Sequence, residues 1–266
     1  MLSKVFQLGK ALTRWLAHRP AVLLLTAGDE ALASQPAPRF AAAWLELMIV
    51  SVLWGGMSMQ LWSWTWGLFG DYSGIPLMPV AVVLAIGMLL VYRRAVAALA
   101  EALGGSGPGQ AVATSVILLV LALALLGLKC WDPDWPQYWP RVWWWVRPQT
   151  MFRPLLLAPI WGGWAMLVTC QFRKPSQATE PAVAAFARGC SPLATTLSLA
   201  AVLSATIMYF NHWPWTQLGI PATAMLTAVG GGLALGARQG ALTRKVLLAN
   251  NLLTQIAFFL AYLAHR

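Results

Sequence analysis

The feature that most constrains this chain is a succession of apolar stretches separated by short clusters of basic residues. Each stretch is close to the roughly 20 residues that a helix needs to cross a bilayer. Seven of them qualify or nearly qualify: residues 40–69, 75–91, 111–128, 155–170, 192–210, 218–235 and 246–263. What remains cannot cover a water-soluble globule, because only 10% of the residues are charged and 59% are hydrophobic. A soluble domain carries about a quarter of its residues charged. In hydrocarbon each backbone polar group must be satisfied internally, so spans of this length are helices. The expected fold is all-α: a polytopic transmembrane bundle of about seven spans, preceded by an amphipathic helix at the interface.

That preceding segment has a different pattern. Lys4, Lys10, Arg14 and Arg19 alternate with Leu2, Val5, Phe6, Leu12, Trp15 and Leu16. This describes a basic amphipathic helix lying on an anionic membrane face. A cleaved signal peptide would need an unbroken apolar core, which the spread of charges interrupts. Residues 29–38 read as a polar linker. The chain divides into a membrane-surface segment with linker, 1–39, and a multi-span domain, 40–266.

Loop charges give an orientation. Arg39, the pair Arg93 and Arg94, then Arg173, Lys174 and Arg188, and finally Arg238, Arg244 and Lys245 all fall on one side in a seven-span chain. By the positive-inside rule that side is cytoplasmic, together with the N-terminus. The expected location is the bacterial inner (cytoplasmic) membrane. Residues 130–151 dissent. They belong outside, yet they carry Arg141 and Arg147 among Trp131, Trp135, Trp139, Trp143, Trp144 and Trp145. Tryptophan prefers the headgroup zone, so an interfacial belt or a half-inserted hairpin is expected there.

The net charge of +10 does not indicate nucleic acid, because the cations sit between spans instead of forming one basic face. Cys130, Cys170 and Cys190 are odd in number and lack metal-ligand spacing, so neither a disulfide framework nor a zinc site is expected. Glu46, at the head of the first run, is placed to reach the headgroups. Asn250 and Asn251 suit hydrogen bonding between helices.

The segment from Gly240 through Thr243, Arg244, Lys245 and Ala249 to Asn251, followed by a last apolar helix, resembles the C-terminal motif of the cobalamin synthase family (adenosylcobinamide-GDP ribazoletransferase). That motif runs Gly-Gly-x-Thr-Gly-Asp-x-x-Gly-Ala. Gly240, Thr243 and Ala249 match in register. Gly74-Ile75-Pro76-Leu77 at the head of a span, Leu99-Ala100-Glu101 and the glycine-rich 105–109 fall in the same order as similar family segments. So do Arg153, then Arg173 to Pro175, then Glu180 to Arg188. The resemblance covers most of the chain. It implies a magnesium-dependent transferase joining GDP-activated cobinamide to α-ribazole, with Glu101 and Thr243 as catalytic residues and Arg153, Arg244 and Lys245 as phosphate contacts. The partners it implies are the bilayer, a corrinoid or nucleotide-activated ligand and other membrane proteins, with no nucleic acid.

The departures fall on the acidic positions. The family's Gly-Asp is Arg244-Lys245, its following glutamate is Leu252, and a second acidic position is Gln255. Of the aspartate-rich loop only Glu101 survives. Magnesium takes hard oxygen ligands, and a lysine in place of a carboxylate repels the ion. The alternative expectation is therefore a non-catalytic partner or scaffold of the same fold that keeps affinity for phosphate. A transporter subunit ranks last, since few ionisable groups lie within the spans.

Overall fold

The structure is a computed structural model that describes residues 19–69, 77–129, 152–177, 179–209 and 218–265. Among them every regular element is helical. Two short helices, α1 (Pro20–Thr26) and α2 (Asp29–Ala33), and a 3₁₀ turn (Ala37–Ala42) lead into α3 (Ala43–Phe69). Then come α4 (Leu77–Gly87), a π-helical turn (Met88–Tyr92), α5 (Arg93–Gly104), α6 (Pro108–Lys129) and α7 (Phe152–Phe172). The short α8 (Pro181–Gly189) precedes α9 (Pro192–Tyr209), α10 (Gly219–Gln239) and α11 (Arg244–Ala264).

Six helices are long and apolar enough to cross a membrane, and a seventh crossing is reached if α8 and α9, bent by 73° to each other, count as one. The chain is a multi-pass membrane helix bundle. Large side chains such as Leu68, Leu89, Val112 and Leu226 point outward, as a lipid-facing surface requires.

α7 is the central helix. Its residues from Pro154 to Cys170 are all buried, and α3, α9, α10 and α11 pack around it. Small residues set the spacing. A Cβ added to Gly55 of α3 would lie 2.7 Å from the Leu156 carbonyl oxygen, and one added to Gly162 would lie 2.8 Å from the Gln255 side chain. Without a hydrophobic difference between lipid and protein, such close backbone approach is what drives helices together.

Two span boundaries differ from the sequence expectation. The fourth span begins at Phe152 and takes Pro154 into its first turn, where a missing N–H costs nothing. The second does not stop at Arg93 and Arg94. It continues through the π turn into α5, because α5 has an apolar face that packs on α6 and α11. Glu101 is thus on a helix and not in a loop. The amphipathic helix expected over the first residues, the tryptophan segment 130–151 and the links 70–76 and 210–217 lie outside the described residues.

One end of the bundle gathers most cations of the described residues. The C-terminal ends of α7 and α10 meet there, where Arg173 Nη2 donates to the Leu233 carbonyl at 3.3 Å. α5 ends beside the start of α11, where Lys245 meets Glu101. α1 and α2 lie across this end, and α8 packs on the 3₁₀ turn.

Candidate functional site at the basic end

The hairpin between α10 and α11 organises this end. Gly240 takes φ 71°, a left-handed conformation that closes a helix and suits glycine. Three residues on, Thr243 caps α11: its Oγ1 accepts from Val246 N at 3.3 Å and donates to Gln239 Oε1 at 2.6 Å. The Leu242 carbonyl accepts from Thr179 Oγ1 at 2.9 Å, which ties the turn to the segment before α8. The Gly and Thr of the C-terminal motif therefore both have a structural use as helix caps.

Arg244 opens α11, and its side chain is only 3% exposed. Its Nε donates to Leu24 O at 2.6 Å, Nη1 to Ala27 O at 2.8 Å and Nη2 to Leu23 O at 3.1 Å. Nη1 also reaches Asp29 Oδ1 at 3.1 Å. The acceptors include Leu24 O, a last-turn carbonyl of α1 of the kind a helix end leaves without a partner, and Leu23 O, which also accepts from Ala27 N at 3.0 Å. One guanidinium thus binds the first described helix to the last one. Arg94 assists, donating to Thr26 O at 3.1 Å and to Asp29 Oδ1 at 3.4 Å.

The same pattern recurs. Arg238 Nη1 donates to Ala102 O in the last turn of α5 at 2.9 Å, and Arg173 does so to Leu233 O near the end of α10. Helix C-termini carry partial negative charge. Those of α1 and α5 are each answered by an arginine from a distant part of the chain, while Arg173 reaches α10 six residues before its end.

Lys245 points the other way. Its Nζ lies 2.8 Å from Glu101 Oε1, with both side chains about half exposed. Glu180 stands close by. Burial raises its carboxyl above the usual range, Arg244 and Lys245 pull it down, and Asp29 pushes it up.

The end thus brings together Glu101, Thr243, Arg244 and Lys245. It does not include Arg153, which sits in the first turn of α7 at the far end of the bundle. Nineteen residues separate Arg153 from Phe172, so at about 1.5 Å per residue the two ends lie roughly 30 Å apart. Arg153 has partners of its own there. Magnesium would need several oxygen ligands free of cations. Glu101 is held by Lys245, and Asp29 by Arg94 and Arg244. Among the described residues no group of three His, Cys, Asp or Glu side chains could hold a metal ion. The donor set does not fit magnesium.

The bundle interior holds a second polar feature. Trp54 Nε1 donates to Tyr92 Oη at 2.8 Å, and Tyr92 Oη donates to Gln255 Oε1 at 3.0 Å. Gln255 Nε2 donates to Asn251 Oδ1 at 2.6 Å. This chain joins α3, the π turn and α11. Asn250 Nδ2 binds Thr169 Oγ1 at 2.8 Å and Ala228 O at 2.7 Å, which joins α11 to α7 and α10. Both asparagines do act as interhelical links. Tyr92 is absent from the sequence expectation, because it stands just before Arg93 and reads as the end of a span. Glu46 lies in the first turn of α3 and pairs with Arg19 at 3.3 Å.

Comparison of the chain with protein-family models, with curated proteins and with solved structures finds no match.

Proposed function

We propose that the chain is a non-catalytic relative of cobalamin synthase, a membrane scaffold whose basic end faces the cytoplasm of a bacterium and receives a phosphorylated or corrinoid ligand, or a membrane partner, without turning it over. The observation that carries this reading is the Lys245–Glu101 pair at 2.8 Å. The one acidic side chain retained from the family's aspartate-rich loop is neutralised by the lysine that stands where the family has an aspartate. Arg244, beside it, uses its donors on α1 and Asp29. Both positions that would have to handle magnesium and pyrophosphate are engaged in holding the fold.

The transferase reading keeps one supporting observation, the convergence of Glu101, Thr243 and Lys245 at one end. An assay separates the two. Purified protein is given GDP-activated cobinamide, α-ribazole and magnesium, and GMP release is followed. The expected result is no release by the natural chain. Release that disappears in Glu101→Gln would establish the transferase instead. Lys245→Asp is the companion variant, and activity confined to it would mark a retired enzyme.

A further inference from the structure

The cations of the basic end fall into two sets. Arg94, Arg173, Arg238, Arg244 and Lys245 each bind a carbonyl or a carboxylate of the chain. Arg39 and Arg188 are exposed and form no hydrogen bond or ion pair with the described residues, as do Arg93 and Lys174. Of these four, Arg39 and Arg188 belong to elements packed on each other.

Arg39 lies in the 3₁₀ turn, four residues before α3 begins at Ala43, and Arg188 lies in α8, four residues before α9 begins at Pro192. Both arginines thus sit just before long apolar helices of the bundle. The backbone of Gly189 lies against the Ala41 carbonyl so closely that no Cβ would fit. α8 is inclined at 73° to α9, and its Ala182, Val183, Phe186 and Ala187 are turned inward. It therefore lies across the direction of α9, with Arg188 exposed.

We propose that Arg39 and Arg188 form a binding site for the phosphate of an anionic phospholipid. Both are exposed at the entry of an apolar helix, the level where a span meets the headgroups, and a guanidinium offers the forked donors that suit a phosphate. Anionic lipid is the chemistry available at that depth. The buried faces of α8 and Phe40 hold both elements in place without using either charge. This inference stands independently of any activity at Glu101 and Lys245.

The test titrates short-chain phosphatidylglycerol into the detergent-solubilised protein and reads the melting temperature by tryptophan fluorescence. Short-chain phosphatidylcholine and glycerol 3-phosphate form the comparison arms. The expected result is stabilisation by phosphatidylglycerol alone. Arg39→Gln/Arg188→Gln should weaken that binding about thirty-fold, the effect of two cations at an anionic surface, while it melts like the natural chain in phosphatidylcholine. Arg93→Gln/Lys174→Gln, which removes the same charge, should bind as before. Three results overturn the proposal: undiminished binding by the first pair, an equal loss in the second pair (which would mean diffuse charge attraction), or equal stabilisation by glycerol 3-phosphate (which would mean a site for free phosphate).

Discussion

Arg244 shows why residue type alone did not disclose its task. A basic residue at the head of a last span reads as an anchor or a phosphate contact, and both readings put its charge outside the protein. Most of its acceptors are backbone carbonyls of α1 and of the residue that ends it, which every residue carries and no sequence pattern marks. Replacing Arg244 by Met should cost about 3 kcal/mol, since buried carbonyls would lose their donors. Arg244→Lys should not restore the loss, because one ammonium cannot reproduce a forked donor. Thermal melting in detergent checks both. Glu180 gives a pH test. Its raised carboxyl binds a proton more readily folded than unfolded, so its contribution to stability is present at acid pH and is lost as pH rises through the folded value. Glu180→Gln should flatten the melting curve against pH on the acid side of neutrality.

At the scale of elements, the spans were legible because length and apolarity define them directly. The extension of the second span was not. An Arg-Arg pair looks like a stop signal, and only the packing of α5 on α6 and α11 overrides it. The Trp54–Tyr92–Gln255 chain was hidden for a related reason: Tyr92 and Gln255 are 163 residues apart. Tyr92→Phe should cost about 1 kcal/mol, typical of a hydrogen bond between membrane helices. Combined with Gln255→Leu it should cost less than the sum of the single changes, since each single variant already breaks the shared bond. Neighbouring glycines of α10 differ sharply. Gly231 has no room for a side chain against Asn250 Oδ1, whereas Gly230 has no neighbour within 4 Å. Gly231→Leu should destabilise by about 2 kcal/mol or more, and Gly230→Leu should be close to neutral. Melting measurements on the pair separate interface from lipid face.

For the whole molecule, the number of crossings turns on α9. α9 runs antiparallel to α7: Gln171 of α7 bonds Thr195 at 3.0 Å, while Trp161, toward the other end of α7, bonds Thr206 at 3.2 Å. Seven crossings follow if the α8–α9 pair spans the membrane, and α9 then carries the chain from the basic end to the far end, where α10 starts. A reactive cysteine introduced at Ser176, before α8, and another at Leu218, before α10, should be labelled from opposite sides of sealed vesicles. Labelling of both from one side would reduce the count to six. The long reach of the arginine contacts also sets an order of events. Arg244 meets Leu24 across 220 residues, and Arg238 meets Ala102 across 136. A ribosome adds about 5–20 residues per second, so the front of the polypeptide waits roughly 10–40 s for the side chain that will fasten it. During that interval α1 has free carbonyls and no clasp. A chain released before α11 is made would leave its own beginning open to proteases.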